Sequence, residues 1–422
     1  MRRGAALALI ALAALPALAR SQGPPNPPPE SPIGPEFRVN TYLSGHQTQP
    51  AVVARQAVTF SKHAFVWTSD GGDGSGLGVT GRYLYLDQWG SEFRVNKYTT
   101  GDQQEPTIGM DYGGNLVVAW TSGHDGSGQG IFAHRLSATI DPMGPEFRVN
   151  TYTTGSQYEA AIWESATANF VIVWTSAGGQ DGDGAGIFGQ RFAANGAPLG
   201  PEFRVNTDTT GHQYHPAIAS NEGDFVVVWQ DAGPGPPGPG IFGQRFNFSG
   251  TPLGPQFRVE TYTTGLQAAP AVAVSYNGEF MVVWHSDGQD GSDLGVFGQR
   301  FSSGGVPIGP EFRANTYTTG RQGFPTVAGN SNFLVAWSSE GQDGSADGVF
   351  AQTYLNGAPF GPEARINTYT TGSQAAPFVV SSPGNNFVVV WQSDGQDGSG
   401  YGVYGQFDHT FTPVELMTVG VE

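Results

Sequence analysis

The chain has no cysteine among its 422 residues. No disulfide can staple it and no thiol can serve as a nucleophile, so a folded unit of this length must be held by burial and hydrogen bonds. Lysine is nearly as scarce. Only Lys62 and Lys97 occur, and Asp plus Glu outnumber Lys plus Arg by 36 to 19, for a formal charge of −17. Such a surface repels nucleic acid and anionic membrane, which removes both as expected partners. Runs of good helix formers are missing after the first twenty or so residues, and 63 Gly and 30 Pro stand in their place. That composition favours short strands and tight turns.

Long apolar runs are also absent, because no segment reaches the roughly eighteen residues of a membrane span. The opening MRRGAALALIALAALPALAR comes nearest. Two arginines, about fifteen apolar residues and the small-x-small Ala17-Leu18-Ala19 read as a secretory signal. The expected division is residues 1–19 as signal, 20–35 as a stiff Pro-rich linker, 36–411 as the folded body and 412–422 as a carboxy-terminal strand or tail. The mature chain is expected to be secreted, without a membrane span, and monomeric.

What the chain has in abundance is repetition. GPEFRVNTYTTG at 144–155 has a core that returns as EFRVN at 36, 92 and 202, QFRVE at 256, EFRAN at 311 and EARIN at 363. A catalytic group is needed once, so a phrase written seven times serves a shape. The unit is about 54 residues long and divides into four strands, here called a to d. In one copy these are PAIAS, DFVVVWQ, GIFGQRF and the QFRVE segment. Strand b does not alternate. Phe225, Val227 and Trp229 face one way, Val226 and Val228 the other, and all are apolar, so both faces of the sheet must be covered. Sheets covered on both sides by copies of themselves are the blades of a propeller.

The expected fold is therefore all-β: a seven-bladed β-propeller of four-stranded antiparallel blades. Trp67, Trp120, Trp174, Trp229, Trp284, Trp337 and Trp391 anchor one blade each. The chain begins on a strand d and its last unit stops after strand c, so Glu36 to Asn40 should pair with the last blade and close the ring. Glu and Arg two apart, as in Glu202 and Arg204, share a face and are expected to pair with a neighbouring sheet.

The combination EFRVNTYTTG, FVVVW, DGQDGSG and GIFGQRF resembles a repeat of large bacterial exported proteins, including calcium-binding adhesin-like and RTX-associated ones. It spans nearly all of residues 36–408. The resemblance implies an extracellular repeat protein.

Two repeated loops should emerge at one end of the propeller. The first, between strands b and c, carries Asp73, Asp125, Asp181, Asp290, Asp343 and Asp397, with a further acid at Asp70, Asp287, Glu340 and Asp394. These carboxylates are candidate ligands for Ca²⁺, a hard cation that takes oxygen donors; the alternative is that each Asp caps a Gly-rich turn. The second loop, TYTTG, carries Tyr42, Tyr98, Tyr152, Tyr262, Tyr317 and Tyr369. The fourth unit departs in both loops: Asp208 replaces the Tyr and AGPGPPGPG the Asp-Gly run, which implies that the two loops touch.

No HExxH and no GxSxG occurs, and no one repeat position is common to the eight His. His212 and His215, beside the unusual unit, are the best single metal or acid–base candidates. The leading expectation is a binding or adhesion module that recognises a glycan or extracellular protein through the Tyr and Asp face, with calcium-ordered loops. The alternative is an extracellular glycoside hydrolase or lyase that uses acids of that face.

Overall fold

The computed structural model describes residues 35–408, apart from 58–59, 222, 234–237 and 383–385. The signal, the linker up to residue 34, His409 and the tail 412–422 lie outside the described residues. Seven antiparallel sheets follow one another, each with four strands in a-b-c-d order, and the first carries one additional short strand, Gln88–Trp89. The inner strands a are Gln47–Ala57, Gln103–Met110, Gln157–Glu164, Gln213–Ser220, Gln267–Val274, Gln322–Gly329 and Gln374–Ser382. Each lies against the inner strands of both neighbours, and Gln374–Ser382 meets Gln47–Ala57, so the ring is closed. The chain is a seven-bladed β-propeller, with blade 1 beginning at Gln47.

Closure uses the strand that the sequence singles out. Phe37–Arg38 pairs with Tyr401–Asp408 of blade 7, Phe37 opposite Gly405 and Arg38 opposite Tyr404. Blade 7 is thus built from both ends of the described chain.

Strand b explains why the blades stack. In blade 4 every residue of Phe225–Asp231 is buried. Phe225, Val227 and Trp229 pack with Val171 and Val173 of blade 3. Val226 and Val228 pack with Trp284 of blade 5. The same arrangement joins Trp67 of blade 1 to Val388 and Val390 of blade 7. All seven Trp are at most 1% exposed, and truncating a side chain so placed to Ala costs about 3–5 kcal/mol.

Two differences from the sequence expectation have physical causes. The outer strand d stops at its Arg in every blade, as in Phe203–Arg204, because the side chain two residues on, an Asn or in blade 4 Glu260, takes over its ladder; in blades 1–4 and 7 the strand has only two residues. In blade 3, Asn206 Oδ1 accepts from the Ile187 amide and Asn206 Nδ2 donates to Gln213 Oε1, at 2.8 and 3.0 Å. The same Asn–Gln pair recurs as Asn40–Gln47, Asn96–Gln103, Asn150–Gln157, Asn315–Gln322 and Asn367–Gln374. Strand a starts at that buried Gln, three residues ahead of the apolar run, and the added residues contain a β-bulge in every blade.

The Glu of the expected Glu and Arg set does meet a neighbouring blade, through backbone and hydroxyl donors. Glu202 Oε2 accepts from the backbone amide and hydroxyl of Thr151 in the preceding blade, at 2.8 and 2.9 Å. One carboxylate oxygen has lone pairs for both donors of the Thr. Strand c arginines reach backbone of the next blade: Arg135 Nη1 donates to Asn195 O at 2.7 Å and Arg191 Nη1 to Phe248 O at 2.9 Å, while Arg300 also pairs with Glu279 at 2.7 Å.

Candidate functional site

Each of the six recurrent loop Asp proposed for calcium caps its own turn. Asp73 Oδ1 accepts from the Ser75 amide at 3.0 Å and its Oδ2 from Asn96 Nδ2 at 2.9 Å. Asp290, Asp343 and Asp397 repeat both bonds, to Asn315, Asn367 and Asn40, and Asp181 does so with Asn206. Asp125 keeps the amide of Ser127, while its Oδ2 is buried without a partner among the described residues. The Gly five residues on is needed for this cap, since a Cβ at Gly78 would meet the Asp73 carboxyl carbon at 2.8 Å. Asp70, Asp287 and Asp394 lie against the linker glycines Gly45, Gly265 and Gly372. Among the described residues no three His, Asp or Glu side chains gather as a metal-holding cluster.

The linker tyrosines share that face. Tyr42 and Tyr98 are exposed, while Tyr152, Tyr262, Tyr317 and Tyr369 are half-buried. Tyr152 donates its hydroxyl to Gly178 O of the Asp-Gly loop at 2.8 Å, and Tyr98 stacks on His124 at 4.0 Å. The two loops do touch, in blade 4 as well, where the Ala232 amide donates to His212 O. Blade 4 also shows why its changes come together. Without a loop Asp to receive it, the Asn is replaced by Glu260, which accepts from the Ile241 amide at 2.8 Å and pairs with Arg258 at 2.6 Å.

His212 caps a loop: its Nδ1 accepts from the Ala185 amide at 3.2 Å. His215 belongs to a different constellation. The bulge of each inner strand holds one non-glycine residue at positive φ: Gln49, Glu105, Glu159, His215, Ala269, Phe324 and Ala376, with φ between 50 and 56°. Non-glycine residues held there store strain, and such strain concentrates at functional sites. These residues ring the mouth of the central channel on the face of the linkers.

The polar members are chained together. The Glu105 amide donates to Gln49 Oε1 at 3.1 Å, and the His215 amide to Glu159 Oε2 at 3.1 Å. His215 Nδ1 lies 2.9 Å from Glu159 Oε1. From strand b behind them, Thr121 donates its hydroxyl to Glu105 at 3.0 Å and Thr175 donates to Glu159 at 3.1 Å. The environments of the two carboxyls differ. Burial raises the Glu105 pKa, against the hydrogen bond of Thr121, and the neighbouring Glu159 charge adds to the rise. Burial also opposes the Glu159 charge, but His215 and Thr175 outweigh it and hold that carboxyl below its ordinary value. His215 is raised in return, because Glu159 and Glu105 overcome its own burial penalty.

Tyr158 and Tyr214 stand one residue before Glu159 and His215, and burial together with Glu159 pushes the Tyr158 hydroxyl up to about 12. His285, one position after Trp284, is pushed down to about 4 by burial and by His215 and Arg321. It is neutral at physiological pH.

Of the residues named from sequence, only His215 falls in this constellation. Glu105, Glu159, Tyr158, Tyr214, His285 and Phe324 were not identified. A signal was available: a constant Gln is followed by two residues that vary from blade to blade, with Pro after them in six copies, as in QQEP, QYHP, QAAP and QGFP, and Ala in QYEA. Within a unit otherwise copied closely, those are the positions free to hold a single site. The 390 Å³ cleft lined by Phe147, Phe192 and Glu202 lies at the rim of blades 2 and 3, and Glu202 is already committed there to Thr151.

No family model matches the chain, and no curated protein matches it. Solved structures do. The propeller is similar to an ulvan lyase bound to a glucuronate–sulfated rhamnose disaccharide unit, with TM-score 0.52 and 9% identity over 88% of this chain and 95% of that one. It is similar to an α-L-arabinofuranosidase of Fusarium graminearum in complex with an iminosugar inhibitor, with TM-score 0.50 and 11% identity over 72% and 91%. A protein of unknown function from Dyadobacter fermentans gives TM-score 0.50 and 11% identity over 88% and 97%. At these identities the likeness is one of fold. Among the described residues no helix is long and apolar enough to cross a membrane.

Proposed function

We propose that the chain is an exported carbohydrate-active enzyme that hydrolyses glycosidic bonds at the linker-side mouth of its channel. Glu105 is the proton donor and Glu159 the ionised partner that attacks or activates water. One observation carries this reading. Two carboxyls on adjacent inner strands, both at strained bulge positions, are pushed in opposite directions, Glu105 up and Glu159 down. A pair of acids separated in this way is how one site supplies acid and base together. The fold lends support, since propellers of this shape are found among glycan-cleaving enzymes.

A lyase is the second reading. Neutral His285 and the pair Tyr158 and Tyr214 beside His215 favour it, because proton abstraction next to a uronate carboxylate calls for such a base and acid. Glycan adhesion through the Asp and Tyr loops has less support, because those Asp are turn caps repeated from blade to blade that hold the Asn of the ladder.

Reducing-end release from neutral and uronate polysaccharides, with ultraviolet detection of unsaturated products, tests both readings. Hydrolysis predicts new reducing ends without the unsaturated chromophore, and a loss of about 10²-fold or more in Glu105→Gln and Glu159→Gln. An unsaturated product would replace it with the lyase. Full turnover in both variants would remove the site.

A further inference from the structure

The mouth has two unlike halves. Blades 1–4 place Thr48-Gln49, Gln104-Glu105, Tyr158-Glu159 and Tyr214-His215 at the bulge, whereas blades 5–7 place Ala268-Ala269, Gly323-Phe324 and Ala375-Ala376. Large polar side chains fill one side, and on the other a single ring stands between small residues. Phe324 is 53% exposed, which is uncommon for an aromatic on an inner strand and leaves its face open to a ligand.

A second observation falls at the same place. The residue after the blade Trp backs the bulge of its own blade and of the next. Thr68 Oγ1 accepts from the Glu105 amide at 3.2 Å, Gln392 Oε1 from the Gln49 amide at 3.3 Å, and Ser338 Oγ from the Ala376 amide at 3.1 Å. The counterparts in blades 4 and 5 are Gln230 and His285. They are 8% and 7% exposed, and Gln230 Oε1 and His285 Nδ1 have no hydrogen-bond partner among the described residues. Buried polar atoms are rarely left in that state, because the desolvation cost is not recovered. His285 packs edge-on against Phe324 with ring centroids 6.0 Å apart, so one orphaned ring nitrogen lies beside the exposed ring.

We infer that the Ala269–Phe324–Ala376 half of the mouth is a subsite for a neutral sugar residue, which stacks on Phe324 and places hydroxyls against His285 Nδ1 and Gln230 Oε1. This rests on the proposed glycan cleavage and adds the substrate class. An aromatic face takes the apolar C–H face of a pyranose or furanose ring, and the small residues on either side leave room for it. Gln230 Oε1 is an acceptor, and the neutral His285 ring offers Nδ1 as acceptor or donor according to its tautomer; sugar hydroxyls, which both donate and accept, suit the two. A uronate carboxylate offers no proton to them and meets the acidic pair across the mouth, so the neutral ring fits better.

The test uses the full mature chain carrying Glu105→Gln, so that glycan is bound and not consumed. Its retardation is measured in native gels containing arabinan, xylan or galactan, and in gels containing polygalacturonate or ulvan. At least one neutral polysaccharide is expected to retard the protein. Adding Phe324→Ala should weaken retardation about tenfold, Phe324→Trp should restore it, and Gln230→Leu should weaken it with unchanged circular dichroism. Retardation by the anionic polysaccharides alone, by none of the five, or equally well with Phe324→Ala would overturn the subsite. Wild-type turnover with Phe324→Ala unaffected would overturn it and leave the hydrolase reading intact. Phe324-dependent retardation without wild-type turnover would support the subsite and remove the hydrolase.

Discussion

Thr368 of blade 6 donates both its backbone amide and its hydroxyl to Glu36 Oε2, at 2.7 and 2.9 Å, across 332 residues of sequence. The same clasp binds Thr151 to Glu202 inside the continuous part of the chain. At Glu36 it also secures a strand that only non-covalent contacts attach to blade 7. Replacing Glu36 by Ala removes these two bonds and the one that Gln396 Nε2 donates to Glu36 Oε1, and should lower stability by about 1–3 kcal/mol. In thermal unfolding the fall in Tm should exceed that of Glu202→Ala, and equal falls would mean that closure does not depend on this clasp.

The pH profile follows from the pair at the mouth. Hydrolysis needs Glu159 ionised and Glu105 protonated, so the rate should rise on the acid side with the lowered Glu159 and fall on the alkaline side with the raised Glu105. His215→Gln removes the cation that holds Glu159 down, and the acid limb should move to higher pH. The stability effect has the matching sign. Glu159, lowered, stabilises above its ordinary value of 4.5 and loses this as pH falls through its folded value; His215, raised, stabilises below 6.5 and loses this as pH rises through its own. The pair is therefore most effective between those two ordinary values. An acid limb unmoved in His215→Gln would separate His215 from Glu159.

Calcium can be judged by melting temperature. Both oxygens of Asp73, Asp290, Asp343 and Asp397 already hold protein donors. Chelator and added Ca²⁺ are expected to leave Tm unchanged. A rise with Ca²⁺ that is lost in Asp397→Ala would give the loops a metal. Asp397→Ala itself should destabilise by about 1–2 kcal/mol, as loss of a turn cap does, and leave turnover per folded molecule unaltered.

On the opposite face, Glu164 is 4% exposed and its Oε2 lacks a partner among the described residues. Burial and the nearby Asp111 raise its carboxyl well above the ordinary range, against Arg55 and Arg135. A raised acid contributes fully below its unfolded value and loses that contribution as pH climbs through the folded one. Glu164→Gln should therefore raise Tm in neutral buffer, by about 1–3 °C, and make no difference in acid. A lower Tm at neutral pH would show that the charge is compensated.

Much of this fold is legible because each blade repeats its constraints. The doubly apolar strand b, the Trp of each copy and the leading Glu36–Asn40 segment required stacked sheets and a ring closed by the amino-terminal strand. The turn-capping role of the loop Asp was open as one of two readings. The site was less legible. Its residues come from bulges, and a bulge is a register slip between strands a and b that no hydrophobic periodicity records. Glu105, Glu159 and Phe324 also come from different copies, so they assemble only once the ring has set their order.

The most direct measurement is a crystal structure of Glu105→Gln soaked with an oligosaccharide of the polysaccharide that the wild type cleaves. A glycosidic oxygen within hydrogen-bond reach of residue 105, with the adjacent sugar on Phe324, is the expected result. A glycan bound only along the Asp and Tyr loops, with nothing at the channel mouth, would contradict it.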